Sequence, residues 1–298
     1  MVRNTLQAFG SQFASWMNQE LDPPPQHPVD IARIKRDLRP GDVILVEGRS
    51  RISRLVKAVT LSNWTHAAIY IGRPCDYTDL TLRAALEFHH RGVPSEHLVV
   101  EALLGEGTVI RPIDHYRAHQ LRVCRPRQLT PDDAQLVVTH ALSQVGLAYD
   151  LRQMFDLARL LYPYAILPRR WRSTLFQARP RDERRTICST LIAEAFAAVA
   201  YPILPRIVVD TAGRLWLQRA DPRLCTPRDF DHSPYFDALK FAAVEITEAG
   251  AYRDLAWLET ERPSGDDPTP VDPWFDPAAP PARVTPPSHA LDSRSPNG

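Results

Sequence analysis

Apolar residues recur at helical spacing directly after a cysteine near the C-terminal third of the chain. The five that follow Cys188 at intervals of three and four are Leu191, Ile192, Ala195, Phe196 and Val199. This is the period of a buried helical face, so the pattern predicts an amphipathic helix with the Cys188 sulfur on its inward side. Partial positive charge at a helix N-terminus favours thiolate over thiol, and the thiolate is the nucleophile. The position also suits a small core residue, because free cysteine is often buried.

Two upstream apolar runs each carry one residue able to support a nucleophilic thiol. Residues 65–72 read as a strand that ends at Gly72, with His66 near its start. Residues 97–104 read as a second strand, and Glu101 is its single carboxylate. An ionised carboxylate is rarely buried in such a run without a partner. A cysteine, a histidine and a carboxylate on separate apolar elements match the nucleophile, base and orienting group of acyl-transfer enzymes. The alternative for His66 is a core histidine bonded to a backbone carbonyl.

The remaining pattern predicts a mixture of strands and helices. Further strands are expected at 42–46, 108–112 and 121–124, and a turn at 105–107. Thr130 followed by a proline and two aspartates predicts a helix that runs to about Gly146. Short or separate helices are also marked by the apolar residues Ile52, Leu55, Val56 and Val59, and by Leu151, Met154, Phe155, Ala158 and Leu161 after a cap at Asp150. Antiparallel strands with helices on one side give an α+β class.

Five motifs in a fixed order then carry a resemblance to a known family. In chain order they are Leu38-Arg39-Pro40-Gly41-Asp42-Val43-Ile44, Thr65-His66-Ala67-Ala68-Ile69-Tyr70-Ile71-Gly72, Val100-Glu101-Ala102, Gly146-Leu147-Ala148-Tyr149-Asp150 and Ile187-Cys188-Ser189. Together they resemble the YiiX/YebB-like branch of the NlpC-type cysteine hydrolases, circularly permuted papain-like proteins related to the lecithin:retinol acyltransferase group. The resemblance covers roughly residues 38–235. In papain-like enzymes the cysteine precedes the histidine, and permutation reverses that order, as in this chain.

The resemblance implies a fold and a set of roles. The fold is a circularly permuted papain-like α+β fold, with an antiparallel sheet packed against helices and the nucleophile at a helix N-terminus. Cys188 is the implied nucleophile, His66 the base and Glu101 the group that orients His66. Tyr149, Ser189 and Thr65 are the further candidates for contact with the oxyanion or the substrate. For Tyr149 an ordinary role in a helical N-terminal turn capped by Asp150 is an equal alternative.

The function expected from these residues is hydrolysis of an amide or (thio)ester bond in a small amide, peptide or lipid-acyl substrate. A lipid acyltransferase or thioesterase is one alternative. A catalytically silent module that holds a lipid or peptide in the same cleft is the other. Burial of a cysteine, a histidine and a carboxylate together is costly without a purpose, which favours an enzyme.

Composition narrows the choice of cofactors and partners. The chain of 298 residues has a net charge of +1, so bulk electrostatics give no support for nucleic-acid binding. Its four cysteines, Cys75, Cys124, Cys188 and Cys225, form no C-x-x-C pair. His115 and His119 have a helical metal spacing but no convincing third ligand, and His89-His90 gives the same result. No cofactor or metal ion is therefore expected.

Three segments are expected along the chain. Residues 1–28 form an amphipathic helix and a Pro-rich linker, 29–262 the hydrolase domain, and 263–298 a disordered Pro-rich tail. Residues 1–21 lack the apolar core of a secretory signal, and no run is long enough to span a membrane, so a cytoplasmic location is expected. Peripheral membrane contact through the first helix is left open. The arginine-rich stretch 169–185 is either a solvated loop or a region that steers an anionic substrate towards Cys188.

Overall fold

An antiparallel sheet forms the centre of the computed structural model, which describes residues 15–21, 30–149, 185–241, 244–245, 248–254 and 282–283. Its strands in chain order are β1 (Val43–Glu47), β2 (His66–Gly72), β3 (Leu98–Leu103), β4 (Gly107–Pro112), β5 (Gln120–Pro126), β6 (Ala148–Tyr149), β7 (Arg185–Thr186), β8 (Arg206–Val209), β9 (Leu215–Gln218), β10 (Phe236–Leu239), β11 (Val244–Glu245) and β12 (Ala282–Arg283). Six of them form one sheet in the order β10-β5-β1-β2-β3-β4. The predicted α+β class is confirmed, since this sheet is antiparallel and packs against helices.

The helices of the described residues complete the element order. They are α1 (Ile31–Asp37), α2 (Arg51–Thr60), α3 (Leu80–His89), α4 (Pro131–Ser143), α5 (Cys188–Ala198) and α6 (Pro227–His232). Single 3-10 turns lie at Pro74–Asp76, Ile113–Tyr116, Pro222–Leu224 and Ala251–Asp254. The predicted helix after Thr130 begins as expected, since the Thr130 side chain accepts a hydrogen bond from the Asp133 amide. No helix of the described residues is both long enough and apolar enough to cross a membrane.

Helix α5 packs into the core by the face that its spacing predicted. Leu191, Ile192 and Phe196 are completely buried, and α5 contacts α4 and the strands β2 and β3. The Phe196 ring lies 5.3 Å from the rings of Tyr201 and Phe236. Because close-packed aromatic and aliphatic side chains lose stability when any part shifts, this contact fixes where the helix, and hence its first residue, lies against the sheet.

The motif before β1 has a structural role. Gly41 adopts a φ of +93°, which favours glycine, and the adjacent Asp42 is almost fully buried. The Asp42 carboxylate accepts hydrogen bonds from the Arg39 amide at 2.8 Å and from Arg125 Nε at 2.9 Å. Because Arg125 lies near the end of the neighbouring strand β5, this buried ion pair joins the turn to the sheet.

Residues 15–21 pack against the domain. Residues 15–18 form a helical turn, and Met17 is buried. The Asn18 side chain donates to the Leu104 carbonyl at 2.9 Å, and Glu20 pairs with Arg49 at the same distance. The rest of the predicted first helix and its linker, residues 1–14 and 22–29, lies outside the described residues.

The chain divides into two compact units, Met1–Lys240 and Phe241–Gly298. The first contains the six-stranded sheet and the helices α1 to α6. In the second, β11 pairs in parallel with β12, and a 3-10 turn spans Ala251–Asp254. The predicted helix after Asp150, most of the arginine-rich stretch and nearly all of the Pro-rich tail lie outside the described residues. The domain boundaries at 28 and 262 therefore stay predictions.

Candidate active site

Cys188 is the first residue of helix α5. The residue before it, Ile187, adopts an extended conformation and provides no side-chain cap for the helix. The Cys188 side chain is buried, with 7% of the residue exposed. The backbone N–H groups of Ala67 and Ser189 are among the groups that lower the pKa of its thiol. These donors favour a negative charge on sulfur, as the position at a helix start predicted.

His66 begins strand β2 and lies between the thiol and a carboxylate. Its Nε2 is 2.5 Å from Glu101 Oε2, and Cys188 lies close enough to its ring for the two groups to shift each other's pKa. Because Nε2 is directed at the carboxylate, the second ring nitrogen, Nδ1, is the one available to the thiol. Strand register explains the first contact. Ile69 is opposite Val100 in the β2–β3 pair, so His66 and Glu101 project from the same face of the sheet.

Glu101 lies in β3 with no exposed surface and is held by two residues in addition to His66. The Tyr116 hydroxyl donates to Glu101 Oε2, and Arg111 Nε lies 3.7 Å from Oε1. Oε1 itself has no hydrogen-bond partner. A buried carboxylate is tolerated only with compensating partners, and this one has an imidazole, a hydroxyl and a guanidinium around it.

The pKa shifts of the three groups all favour their charged forms. Burial by itself raises the pKa of the Cys188 thiol, but the charge and hydrogen bond of His66 outweigh it, and the net shift is downward. Burial lowers the pKa of His66, yet Cys188 and Glu101 raise it to about 10. Burial also raises the pKa of Glu101, but its hydrogen bond with His66 lowers it overall. The favoured state at neutral pH is therefore a thiolate, an imidazolium and a carboxylate in one line.

The other buried cysteines have the opposite electrostatics. Burial raises the pKa of Cys124 to about 12 and that of Cys225 well above its ordinary value. Neither residue has a histidine among the causes of its shift. Cys75 is exposed, and all four cysteines are free. Cys188 is thus the buried cysteine whose environment favours the thiolate.

The structure gives different positions to the three further candidates. The Ser189 hydroxyl donates to the Cys225 carbonyl at 2.6 Å, so Ser189 reaches the Cys188 sulfur through its backbone only. The Thr65 hydroxyl oxygen accepts from the Gly48 amide at 2.9 Å. Tyr149 pairs by its backbone with Thr186 in β6–β7, and its side chain lies outside the described part of the chain.

Sequence reasoning missed Tyr116 and Arg111. The segment 112–119 contains a 3-10 turn with a buried apolar side. Ile113 and Tyr116 are buried there, whereas His115 is exposed. Strand pairing between β3 and β4 brings this turn back beside Glu101. The spacing of three between Ile113 and Tyr116, which places both on one side of a 3-10 turn, was the signal that could have identified Tyr116.

Replacing Tyr116 by phenylalanine is expected to lower the free energy of unfolding by about 1.5–3 kcal/mol, since it removes a hydrogen bond to a buried charge. Burial and the Glu101 charge raise the pKa of Tyr116, so the hydroxyl stays protonated and acts as the donor. Urea denaturation at pH 7.5 measures the change.

Tyr70 offers a matched control for that variant. Its hydroxyl is also buried and lies 2.8 Å from His97 Nδ1. Burial lowers the pKa of His97, so this partner is neutral at pH 7.5. Tyr70→Phe is expected to cost about 0.5–1.5 kcal/mol. A Tyr116→Phe variant as stable as the wild type would contradict the described role of the hydroxyl.

Metal ligation finds no support in the described residues. They contain no group of three or more histidine, cysteine, aspartate or glutamate side chains that could hold a metal ion. His115 lies beside Arg111, at 3.3 Å, and His119 is 3.7 Å from Glu20. The chemistry available at the site is thus that of the thiolate, the imidazolium and the buried carboxylate.

The chain is similar to known proteins in both sequence and structure. The sequence model of the permuted papain-like amidases, YaeF/YiiX, C92 family, matches residues 37–160, a range that includes His66 and Glu101. Among solved structures the chain is similar to the crystal structure of the metalloprotein yiiX from Escherichia coli O157:H7, with 13% identity and a TM-score of 0.41 over 68% of this chain and 96% of that one. No curated protein matches the chain. The resemblance predicted from the sequence is thereby confirmed: residues 37–160 match the permuted papain-like amidase family of YaeF and YiiX.

Proposed function

We propose that this protein is a cysteine hydrolase that cleaves an amide or (thio)ester bond, with Cys188 as nucleophile, His66 as acid and base, and Glu101 as the orienting carboxylate. The observation that carries the proposal is the buried arrangement of the three groups: Cys188 and His66 shift each other's pKa, and His66 Nε2 lies 2.5 Å from Glu101 Oε2. A nucleophile, a base bonded to it and a third group bonded to the base are the recurring parts of such enzymes.

The first half of the reaction transfers an acyl group to the enzyme. The Cys188 thiolate attacks the carbonyl carbon of the substrate, and a carbon–sulfur bond forms. The His66 imidazolium then gives its proton to the leaving nitrogen or oxygen, and the bond between that atom and the carbonyl carbon breaks. The products of this half are a thioester on Cys188 and a free amine or alcohol.

The second half releases the acid. Neutral His66 accepts a proton from a water molecule, and the resulting hydroxide attacks the thioester carbon. The carbon–sulfur bond breaks, the carboxylic acid leaves, and the thiolate–imidazolium pair is restored. Throughout both halves Glu101 keeps the His66 ring in place, because its Oε2 accepts the Nε2–H. A hydroxyl or amine acceptor in place of water would turn the same intermediate into an acyl transfer.

Stabilisation of the oxyanion is assigned to the start of helix α5. Backbone N–H groups at a helix N-terminus point towards negative charge, and α5 begins at the nucleophile itself without a side-chain cap. Tyr149 is a second donor in this proposal, since β6 pairs with β7 just before the nucleophile helix. Ser189 is left out of this role, because its hydroxyl donates to the Cys225 carbonyl. Thr65 stays a candidate donor, because its hydroxyl oxygen accepts from the Gly48 amide and its own hydrogen is not used in that contact.

Chromogenic esters test the proposal without knowledge of the natural substrate. Mixing the protein with p-nitrophenyl acetate or butyrate is expected to release one equivalent of p-nitrophenolate in a burst. Mass spectrometry of the quenched protein should locate one acyl group on the peptide that contains Cys188. The matching p-nitroanilides then compare amide with ester cleavage.

The exposed Cys75 provides the control for that assay. Cys75→Ala is expected to keep the full burst and the adduct. Acylation that appears on Cys75, or product release with no acyl group on Cys188, would contradict the proposal. A protein that binds the ester but leaves Cys188 unmodified would instead be the silent binding module.

A further inference from the structure

The hairpin formed by β8 and β9 exposes large apolar side chains on both of its faces. All residues of both strands are exposed, including Ile207 at 71% and Leu215 at 72%. The six exposed apolar residues of the hairpin are Ile207, Val208, Val209, Leu215, Trp216 and Leu217. Proteins that act alone in water rarely expose a contiguous group of this kind, and an isolated two-stranded hairpin is marginally stable there.

Strand register divides these side chains between the two faces. Ile207 is opposite Leu217, and Val209 is opposite Leu215, so four aliphatic side chains share one face. Val208 is opposite Trp216 on the other face. Because a protein partner packs on one face of a ribbon or pairs with its edge, it would leave the second set of apolar side chains in water.

The charged residues of the hairpin are mostly arginines. At the tip, Asp210 accepts from Arg214 Nε at 2.8 Å and from Trp216 Nε1 at 3.0 Å, so its carboxylate is neutralised and hydrogen-bonded. Arg206 precedes the apolar part of the hairpin and Arg219 follows it. Within the described chain neither of these two guanidinium groups forms an ion pair with a carboxylate. The hairpin therefore combines apolar strand faces and a neutralised ion pair at its tip with unpaired positive charge at its base.

We propose that the β8–β9 hairpin docks the protein on an anionic phospholipid surface. The acyl chains of a bilayer surround a hairpin that inserts among them, so they cover both apolar faces of the hairpin at once. Tryptophan is favoured at the boundary between water and lipid, the position that Trp216 would have. Arg206 and Arg219 would then meet the anionic headgroups, which attract basic residues close to the surface. This inference goes beyond the proposed hydrolase function and does not depend on it.

The hairpin is also connected to the helix that carries the nucleophile. It begins a few residues after the end of α5, and the chain then returns to the start of the same helix. There the Cys225 carbonyl accepts from the Ser189 hydroxyl, and the Pro222 carbonyl accepts from the Thr190 hydroxyl at 3.4 Å. Docking by the hairpin would accordingly hold the N-terminus of α5 near the lipid surface.

Vesicle flotation with the full-length protein tests the proposal. Vesicles of phosphatidylcholine with about 30% phosphatidylserine are compared with phosphatidylcholine alone, each at low and high salt. The wild type is expected to float with the anionic vesicles. The double variant I207S/L217S is expected to lower its partition coefficient at least tenfold. R206Q/R219Q should lower binding to the anionic vesicles only and reduce the salt dependence.

Two exposed apolar residues elsewhere supply the matched control. Phe88 in α3 and Leu136 in α4 are also exposed, so F88S/L136S removes comparable surface without touching the hairpin. This variant is expected to float like the wild type. R206Q/R219Q changes only exposed polar groups. It replaces I207S/L217S as the test of docking if circular dichroism shows that I207S/L217S loses its fold.

Three results would overturn the proposal. The first is a wild type that does not float with anionic vesicles. The second is equal flotation of the wild type and both hairpin variants. The third is a wild type that does not bind vesicles but forms an assembly in analytical ultracentrifugation, where I207S/L217S abolishes the assembly. That result would assign the hairpin to contact between copies of the chain. All of these measurements work with Cys188→Ala protein, so loss of hydrolase activity cannot be mistaken for loss of docking.

Discussion

Replacing Cys188 by alanine is expected to abolish turnover of the chromogenic esters, with a fall in rate of at least about a thousandfold. Among the described residues no second nucleophile acts on His66, so neither the burst nor the acyl adduct should form. The side chain is small and buried, and its removal leaves the His66–Glu101 contact in place. Initial rates with p-nitrophenyl butyrate, followed by p-nitrophenolate absorbance, measure the effect.

The stability of that variant separates a chemical from a structural cause. Its circular dichroism spectrum and urea midpoint are expected to stay close to those of the wild type. Cys225→Ala is a useful second control, because Cys225 is equally buried but its pKa is raised rather than lowered. Turnover near the wild-type rate in Cys188→Ala would remove Cys188 from the mechanism.

Replacing His66 by alanine is expected to slow alkylation of Cys188 by iodoacetamide at pH 6 by at least about a hundredfold. In the wild type, His66 holds the Cys188 pKa below its ordinary value, so thiolate is present at pH 6. Without the imidazolium, burial, the largest cause of the shift, raises the thiol pKa instead. A thiol with a pKa of about 8.5 or above has less than about 1% thiolate at pH 6.

The pH dependence of alkylation follows from the same two pKa shifts, the lowered pKa of Cys188 and the raised pKa of His66. In the wild type the reactive pair is populated from below the ordinary thiol pKa up to the His66 pKa of about 10. In His66→Ala the rate should instead rise only at alkaline pH, as for a buried thiol. Rates are measured from pH 5 to 9 by peptide mass spectrometry, with the exposed Cys75 as internal reference.

His97→Ala is the matched histidine control for this experiment. His97 contacts Tyr70 and is not among the causes of the Cys188 shift, so its loss should leave the Cys188 profile unchanged. If Cys188 reacts equally fast in the wild type and in His66→Ala at pH 6, the imidazolium does not activate the thiol and the proposed pair is wrong.

Local spacing was a sound guide to the elements that build the core. The predicted strand 65–72 is observed at His66–Gly72, so its end agrees with the structure and its start differs by one residue. Helix α5 begins at Cys188 and buries the predicted face. These elements could be predicted because their period and their Gly, Pro or cap signals agree. Helix α3 (Leu80–His89) was missed, since only Leu82 and Leu86 of it are buried and its pattern is weak.

Three of the site residues could be predicted from the sequence. Cys188, His66 and Glu101 were named from the apolar elements that carry them and from the family resemblance, and the structure brings them together. Tyr116 and Arg111 could not be, because their contact with Glu101 depends on how β3 pairs with β4 and where the following turn lies. Such contacts between distant parts of the chain leave no periodic signal in the sequence. The exposure of the β8–β9 hairpin could not be predicted, because short continuous apolar runs such as 207–209 and 215–217 are typical of buried strands.

The separate origins of the three site residues have a consequence for biosynthesis. His66 and Glu101 lie on strands that pair with each other, whereas Cys188 comes later in the chain on a helix held by packing. A nascent or locally opened chain in which α5 has not docked has no imidazolium beside its thiol. That thiol is then ordinary and mostly protonated at neutral pH. The chain therefore gains its reactive thiolate only when α5 is docked beside His66.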